Sequence, residues 1–387
     1  MREARIYFDA NAGVPLTEEA RSAVIAALGV CNPSSVHAEG RSARHLVEQA
    51  RSAVAALAGA RPDAVTFTSG ATEAAVHALA PVILDGSRES RVGALYVGAT
   101  EHPCVLAGGR IARGATRTVP VDRSGVADLA ALEAMLRDHG AEAGVPLVAL
   151  MLANNETGVV HPIAEAAAIV KRYGGYLLCD AVQGAGRLHL DIRALGADFL
   201  TISAHKIGGP QGAGALVLAD EAVRPAPLLS GGGQERRRRA GTENVAAVAG
   251  FGVAAQHARH HISEAGRIAS LRSRLEAGLR TVAPGALIMG ETAERIPNTT
   301  LFAVPGIAAE TAVIAFDLEG VAVSAGAACS SGKVAESHVL RAMGFDPELA
   351  RAGIRVSLPF AAGQAEVDEF VGIWGAIHAR LRPVRAA

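Results

Sequence analysis

The chain has 387 residues, with 37 Lys and Arg against 38 Asp and Glu, for a formal net charge of -1. Half of it is hydrophobic and 19% is charged, which is ample for a core and the opposite of the disordered signature. The balance argues against a protein built to neutralise nucleic-acid phosphates, and the longest apolar runs, 143–153 and 245–255, are about eleven residues where a bilayer span needs ~20.

The start, Met1-Arg2-Glu3-Ala4-Arg5, leads into a short strand-like stretch with no signal-peptide core, so the expected compartment is cytoplasmic. From about residue 42 to 220, apolar runs of strand length alternate with helical-period stretches. In chain order the pattern predicts a helix over 41–58, a strand over 64–68, a helix over 72–84 and a strand over 94–98. It continues with a helix over 129–138, a strand over 147–152, a helix over 163–172 and strands over 176–179, 199–202 and 215–218. Strands apolar on both faces and separated by helices predict a mostly parallel sheet covered on both sides. A long helical stretch follows Asn244 to about Val282, and a shorter mixed pattern runs to the end. The expected architecture is α/β: a large domain of residues 15–260 and a smaller α+β domain made from 1–14 and 261–387.

Open α/β sheets place ligands at the carboxyl ends of their strands. Five predicted strand ends carry polar clusters: Ser69-Gly70-Ala71-Thr72, Glu101-His102, Asn154-Asn155-Glu156, Asp180-Ala181-Val182-Gln183 and Ser203-Ala204-His205-Lys206. At the first, a helix start near Thr72 offers free N–H groups to a phosphate; read alone, an ordinary Ser/Thr cap is the favoured reading. No Walker pattern and no G-x-G-x-x-G after the first strands is present, which lowers a nucleotide reading.

Only Lys171, Lys206 and Lys333 are lysine. At a buried strand end Lys206 would lose basicity from its usual ~10.4 and become a nucleophile toward a carbonyl. Asp180 ends an otherwise apolar strand and needs a positive partner or a capping role. A phosphate cradle, a carbonyl-capturing lysine and an acid facing a ring nitrogen together describe pyridoxal 5′-phosphate. His102 could stack on the ring and Gln183 could bond its phenolic oxygen.

The four cysteines, Cys31, Cys104, Cys179 and Cys329, are far apart and form no CxxC. A local zinc or dithiol motif is therefore excluded and no metal is expected. The default reading of each is a small buried hydrophobe.

Over nearly its whole length the sequence resembles the class V aminotransferase group of fold-type I enzymes, and within it the cysteine desulfurases of the NifS/IscS type. The likeness rests on Tyr7-Phe8-Asp9, Asn32-Pro33-Ser34-Ser35-Val36-His37, Thr68-Ser69-Gly70-Ala71-Thr72-Glu73, Glu101-His102 and Asn154-Asn155-Glu156-Thr157-Gly158. It continues through Asp180-Ala181-Val182-Gln183, Ser203-Ala204-His205-Lys206, Gly231-Gly232-Gly233-Gln234-Glu235, Arg239, Gly241-Thr242 and the run from Ser324 to Gly332.

The resemblance implies that Lys206 is the Schiff-base lysine. Ala71, Thr72, Ser203 and His205 would hold the phosphate, and Asp180 would face the pyridine nitrogen. Gln183 and Asn155 would sit near the ring hydroxyl, and His102 would stack and shuttle protons. Thr242 would reach the phosphate of a neighbouring subunit, which implies a homodimer. Arg355, with Asn155, would bind the substrate carboxylate, a task suited to bidentate arginine. Cys329 lies among Gly, Ala and Ser, a loop composition rather than that of a packed core, and reads as the nucleophile; the other three cysteines keep the inert reading. The implied activity removes sulfur from L-cysteine, leaving alanine and a persulfide on Cys329, since a thiolate attacks where a thiol does not.

The persulfide would pass to an acceptor protein such as an iron–sulfur scaffold. Nucleic acid would enter only indirectly, through tRNA thiolation, and no membrane partner is expected. The alternatives are a selenocysteine lyase or aminotransferase on the same fold, or a non-catalytic scaffold. The acceptor, a nitrogen-fixation or housekeeping role, and the preference between cysteine and selenocysteine stay open. Three features depart from the family pattern. The segment Asp9–Pro15 lacks the usual Asn-Ala-Thr-Thr run, so Asn11 receives no contact. His161 stands where Gln is frequent. Arg236-Arg237-Arg238-Arg239 is unusually basic, either a solvated loop or a docking face for an acidic partner.

Overall fold

A computed structural model describes residues 5–140, 143–326 and 336–381. Cys329 and Lys333 lie outside the described residues. Among the described residues a nine-stranded sheet dominates. Its middle is parallel: Thr116–Val119, Arg88–Gly98, Val145–Met151, Tyr176–Asp180 and Phe199–Ser203 run side by side. Both flanks are antiparallel. Gly214–Leu218 and then Val65–Thr68 extend one side, and Val82–Asp85 and Val223–Pro225 extend the other.

The central strands are buried on both faces, and their side chains divide between two cores by the two-residue period of a strand. Tyr96, Val148, Leu177 and Leu200 join one core with Val54 and Phe251 from the helices Ala38–Leu57 and Val245–His261. Leu95, Leu147, Leu178 and Phe199 join the other with Ala75 and Leu79. The apolar run at 143–153 is thus sheet interior, with Val145–Met151 at its centre. Among the described residues no helix is long and apolar enough to cross a membrane.

One predicted element is corrected. The stretch 72–84 is not a single helix: the helix Ala71–Ala78 stops, and Val82–Asp85 is a strand. Pro81 explains the break, because it donates no backbone hydrogen bond and disfavours the helical conformation of the residue before it. Gly86, at φ 57°, turns the chain so that Val82–Asp85 pairs with the start of Arg88–Gly98.

A second, antiparallel sheet orders Leu287–Ile288, Thr299–Ala303, Ile354–Ser357 and Ser324–Ala325. Near it Ile6–Tyr7 pairs in parallel with Val321–Ala322. Ile6, Phe8, Phe302, Phe316, Phe370 and Trp374 make a separate apolar core there.

Candidate active site

The sheet topology brings the five polar clusters to one edge. Val65–Thr68 is antiparallel to Gly214–Leu218, which is antiparallel to Phe199–Ser203. The C-terminal end of Val65–Thr68 therefore emerges beside those of the parallel strands. A cavity of about 530 Å³ opens at this edge. Residues from all five clusters line it: Ala71 and Thr72, His102, Asn155, Asp180 and Gln183, and Ser203, His205 and Lys206. Arg355, from the second sheet, also faces it. Thr242 does not; it lines a separate cavity of about 160 Å³ with Arg239, and both cavities share Ser69 and Gly212.

The helix Ala71–Ala78 starts without a side-chain cap, with Gly70 at its head. Its first N–H groups therefore remain available to an anion, and the peptide dipoles favour one there. Glycine is required across from it, because a Cβ on Gly214 would come within 2.5 Å of the Gly70 carbonyl carbon. Glu73, in the first turn, is already engaged: it accepts from Ser69 N at 2.8 Å and from Arg239 Nε at 2.8 Å. Arg239 thus offsets the acid nearest the cradle. Ser203 Oγ lies 2.9 Å from His205 Nδ1, and burial together with Lys206 pushes His205 down to about 4.

Lys206 follows the buried strand Phe199–Ser203 on a short 3-10 turn. Its Nζ donates to the carbonyls of Asn11 at 2.6 Å and Ala12 at 2.8 Å. Asp180 is buried; its Oδ1 accepts from Val182 N at 3.0 Å and Thr201 Oγ1 at 3.4 Å. Burial raises its pKa above the ordinary carboxylate value, against the pull of Val182, His102, Thr201 and Lys206. Burial lowers His102 below the usual imidazole value, against the pull of Asp180.

Arg355 donates from Nη2 to Asp9 Oδ1 at 2.8 Å and from Nη1 to Asn155 O at 3.1 Å. Its Nε is buried without a partner among the described residues. Two residues here had no role from sequence. Asn11 donates to Asn155 O and Thr299 Oγ1 and accepts, through its backbone carbonyl, from Gln183 and Lys206. Asp9 also accepts from Ser324 Oγ. The only sequence signal for either was the Tyr7-Phe8-Asp9 match and the departure beside it.

The residues present fit pyridoxal phosphate. An uncapped helix start suits its phosphate, and a buried carboxylate suits a protonated ring nitrogen. Gln183 Oε1 is buried without a partner among the described residues, and a donor on an occupant would satisfy it. Among the described residues no group of His, Cys, Asp and Glu side chains is placed to hold a metal ion.

Residues 6–370 match the family described as Aminotransferase class-V. The chain belongs to the class-V aminotransferase family. It is 39% identical over 98% of its length, and 97% of the relative's, to a protein named cysteine desulfurase from Cereibacter sphaeroides. A solved NifS-like protein from Rickettsia africae superposes with a TM-score of 0.86 at 34% identity, covering 97% of this chain and 99% of that one. A structure of SspA in complex with cysteine gives 0.74 at 26% identity over 92% of this chain and 99% of that one.

Proposed function

We propose that this protein is a cysteine desulfurase that uses pyridoxal 5′-phosphate and converts L-cysteine to L-alanine with transfer of the sulfur to Cys329. The observation that carries the reading is the convergence of Lys206, Asp180 and an uncapped helix start on one cavity. Full-length similarity to proteins named cysteine desulfurase, and to a structure holding cysteine, supports the substrate.

When bound, pyridoxal phosphate supplies a carbonyl for an amine and a ring that accepts electrons. The chain's residues divide the remaining work. The first N–H groups of Ala71–Ala78, with Thr72, Ser203 and His205, would hold the phosphate. Asp180 would hold a proton-bearing ring nitrogen, and its burial makes a neutralising partner necessary. The Lys206 amine would attach the cofactor and, once displaced, carry the proton from the substrate Cα. Arg355, with Nε still available, would bind the substrate carboxylate beside Asn155. We further propose a homodimer in which Thr242 serves the partner's cavity, a sulfur-acceptor protein as client, and a cytoplasmic setting.

Incubation with L-cysteine, pyridoxal phosphate and a reductant tests the reading. Alanine and sulfide should appear in equal amounts, and Cys329→Ser should abolish sulfide release while the cofactor still binds. Keto-acid-dependent transamination with an unchanged Cys329→Ser variant would reject it. Selenocysteine as competitor separates the lyase alternative.

A further inference from the structure

Cys104 lines the cavity yet has no part in the proposed chemistry. It follows His102 and Pro103 in a one-turn helix, Pro103–Leu106, whose N-cap is His102 itself. His102 Nδ1 accepts from the Cys104 backbone N at 3.3 Å, and Cys104 Sγ lies 3.0 Å from the same nitrogen. A backbone amide can only donate, so Nδ1 must present its lone pair. A sulfur at 3.0 Å from that lone pair must then bring a proton. The Thr72 hydroxyl, in the first turn of Ala71–Ala78, also hydrogen-bonds the sulfur.

We infer that Cys104 is a positioning residue: its thiol bridges the Thr72 hydroxyl and His102 Nδ1 and holds the imidazole in the tautomer that carries its proton on Nε2. The inference rests on the reading of His102 as a group that shuttles protons in the cavity alongside Lys206. It gives that group a fixed polarity in its neutral form, with Nε2–H as the ring donor and Nδ1 as the acceptor. It also ties the imidazole to the helix start that would hold the phosphate.

The electrostatics agree with a neutral pair. Burial and Asp180 push the Cys104 thiol up to about 12, so it stays a donor and is not a nucleophile. The charged and titratable groups facing His102 are Asp180, which favours the imidazolium, and Lys206 and His338, which oppose it. His338 is itself held through Nε2, 3.0 Å from the Glu101 carbonyl oxygen.

The test is nitrogen-15 and carbon-13 NMR of histidine-labelled full-length protein, with and without pyridoxal phosphate. His102 is assigned by its loss in His102→Gln. In the native protein Nδ1 should appear unprotonated and Nε2 protonated at neutral pH. Cys104→Ala should raise the His102 protonation midpoint by about half to one pH unit, the worth of one lost hydrogen bond. Cys104→Ser, which keeps a donor, should return it toward the native value. A proton on Nδ1 in the native protein would overturn the inference, as would an Ala variant that titrates like the native one. The native spectrum decides even if the Ala variant does not fold. Sulfide release from the same preparations reports separately on the proposed function, since the tautomer can be measured whether or not cysteine turns over.

Discussion

Arg355 enters the cavity with one guanidinium nitrogen already committed to Asp9, 346 positions earlier in the chain. Charge-assisted pairing of this kind orients the fork before a carboxylate arrives. Asp9→Asn should therefore raise KM for cysteine about 10-fold or more while kcat changes less, measured by steady-state sulfide release. Asp180→Asn should act differently. It removes the buried charge that a ring nitrogen would need, so kcat should fall by about 10²-fold or more with cofactor still detectable by absorbance. Equal effects of the two substitutions would contradict these assignments. The residue-level site was legible where strand ends announced it: Thr72, His102, Asn155, Asp180, Gln183, Ser203 and Lys206 all follow predicted strands. Asn11 was not. Its main service is a backbone carbonyl offered to Lys206 and Gln183, and a carbonyl leaves no mark in residue type.

The short 3-10 turn Gln234–Arg237 shows an element whose form the sequence concealed. Glu235, Arg236 and Arg237 all have positive φ, 47°, 55° and 64°, without a glycine among them. Each such residue costs roughly 1–2 kcal/mol. The compensation is buried: Glu235 accepts from both Nη atoms of Arg51 at 2.8 Å and from Phe67 N at 2.8 Å. Arg51 in turn lies over the Phe67 ring. The basic run consequently divides. Arg238 bonds Asp63 O and Glu221, Arg239 bonds Glu73, and Arg236 and Arg237 are exposed. Removing one member of a buried pair leaves the other uncompensated, so Glu235→Gln should cost about 3 kcal/mol in denaturant unfolding. Arg236→Gly should instead stabilise by about 1 kcal/mol, because glycine adopts this conformation freely. A neutral Glu235→Gln would show that the pair does not hold the turn. Composition alone could not separate the inward from the outward arginines, since burial here depends on partners far away in the chain.

At the scale of the whole molecule, the alternation of apolar runs revealed the sheet and its covering, but the antiparallel flanks depend on which strands find each other, which periodicity does not encode. The proposed division into 15–260 and 1–14 with 261–387 is supported by the separate core that gathers Ile6 and Phe8 with Phe302 and Trp374. His161 is fully buried; its Nδ1 accepts from Ala127 N at 3.2 Å, and burial lowers it from 6.5 to about 4. The folded value lies below the unfolded one, so the neutral form stabilises fully above about 6.5 and that stability is lost as pH falls from 6.5 to 4. Between pH 7 and 5 the loss should be about 2 kcal/mol, and His161→Gln should lack it, as read from denaturant midpoints at the two pH values. An identical pH dependence in the variant would show that His161 carries no such linkage. Attachment of the cofactor at Lys206 is the step on which all the proposed chemistry depends. Borohydride reduction of the protein with pyridoxal phosphate, followed by peptide mapping, should place one pyridoxyl label on Lys206. A label on Lys171 or Lys333 instead, or none at all, would contradict it.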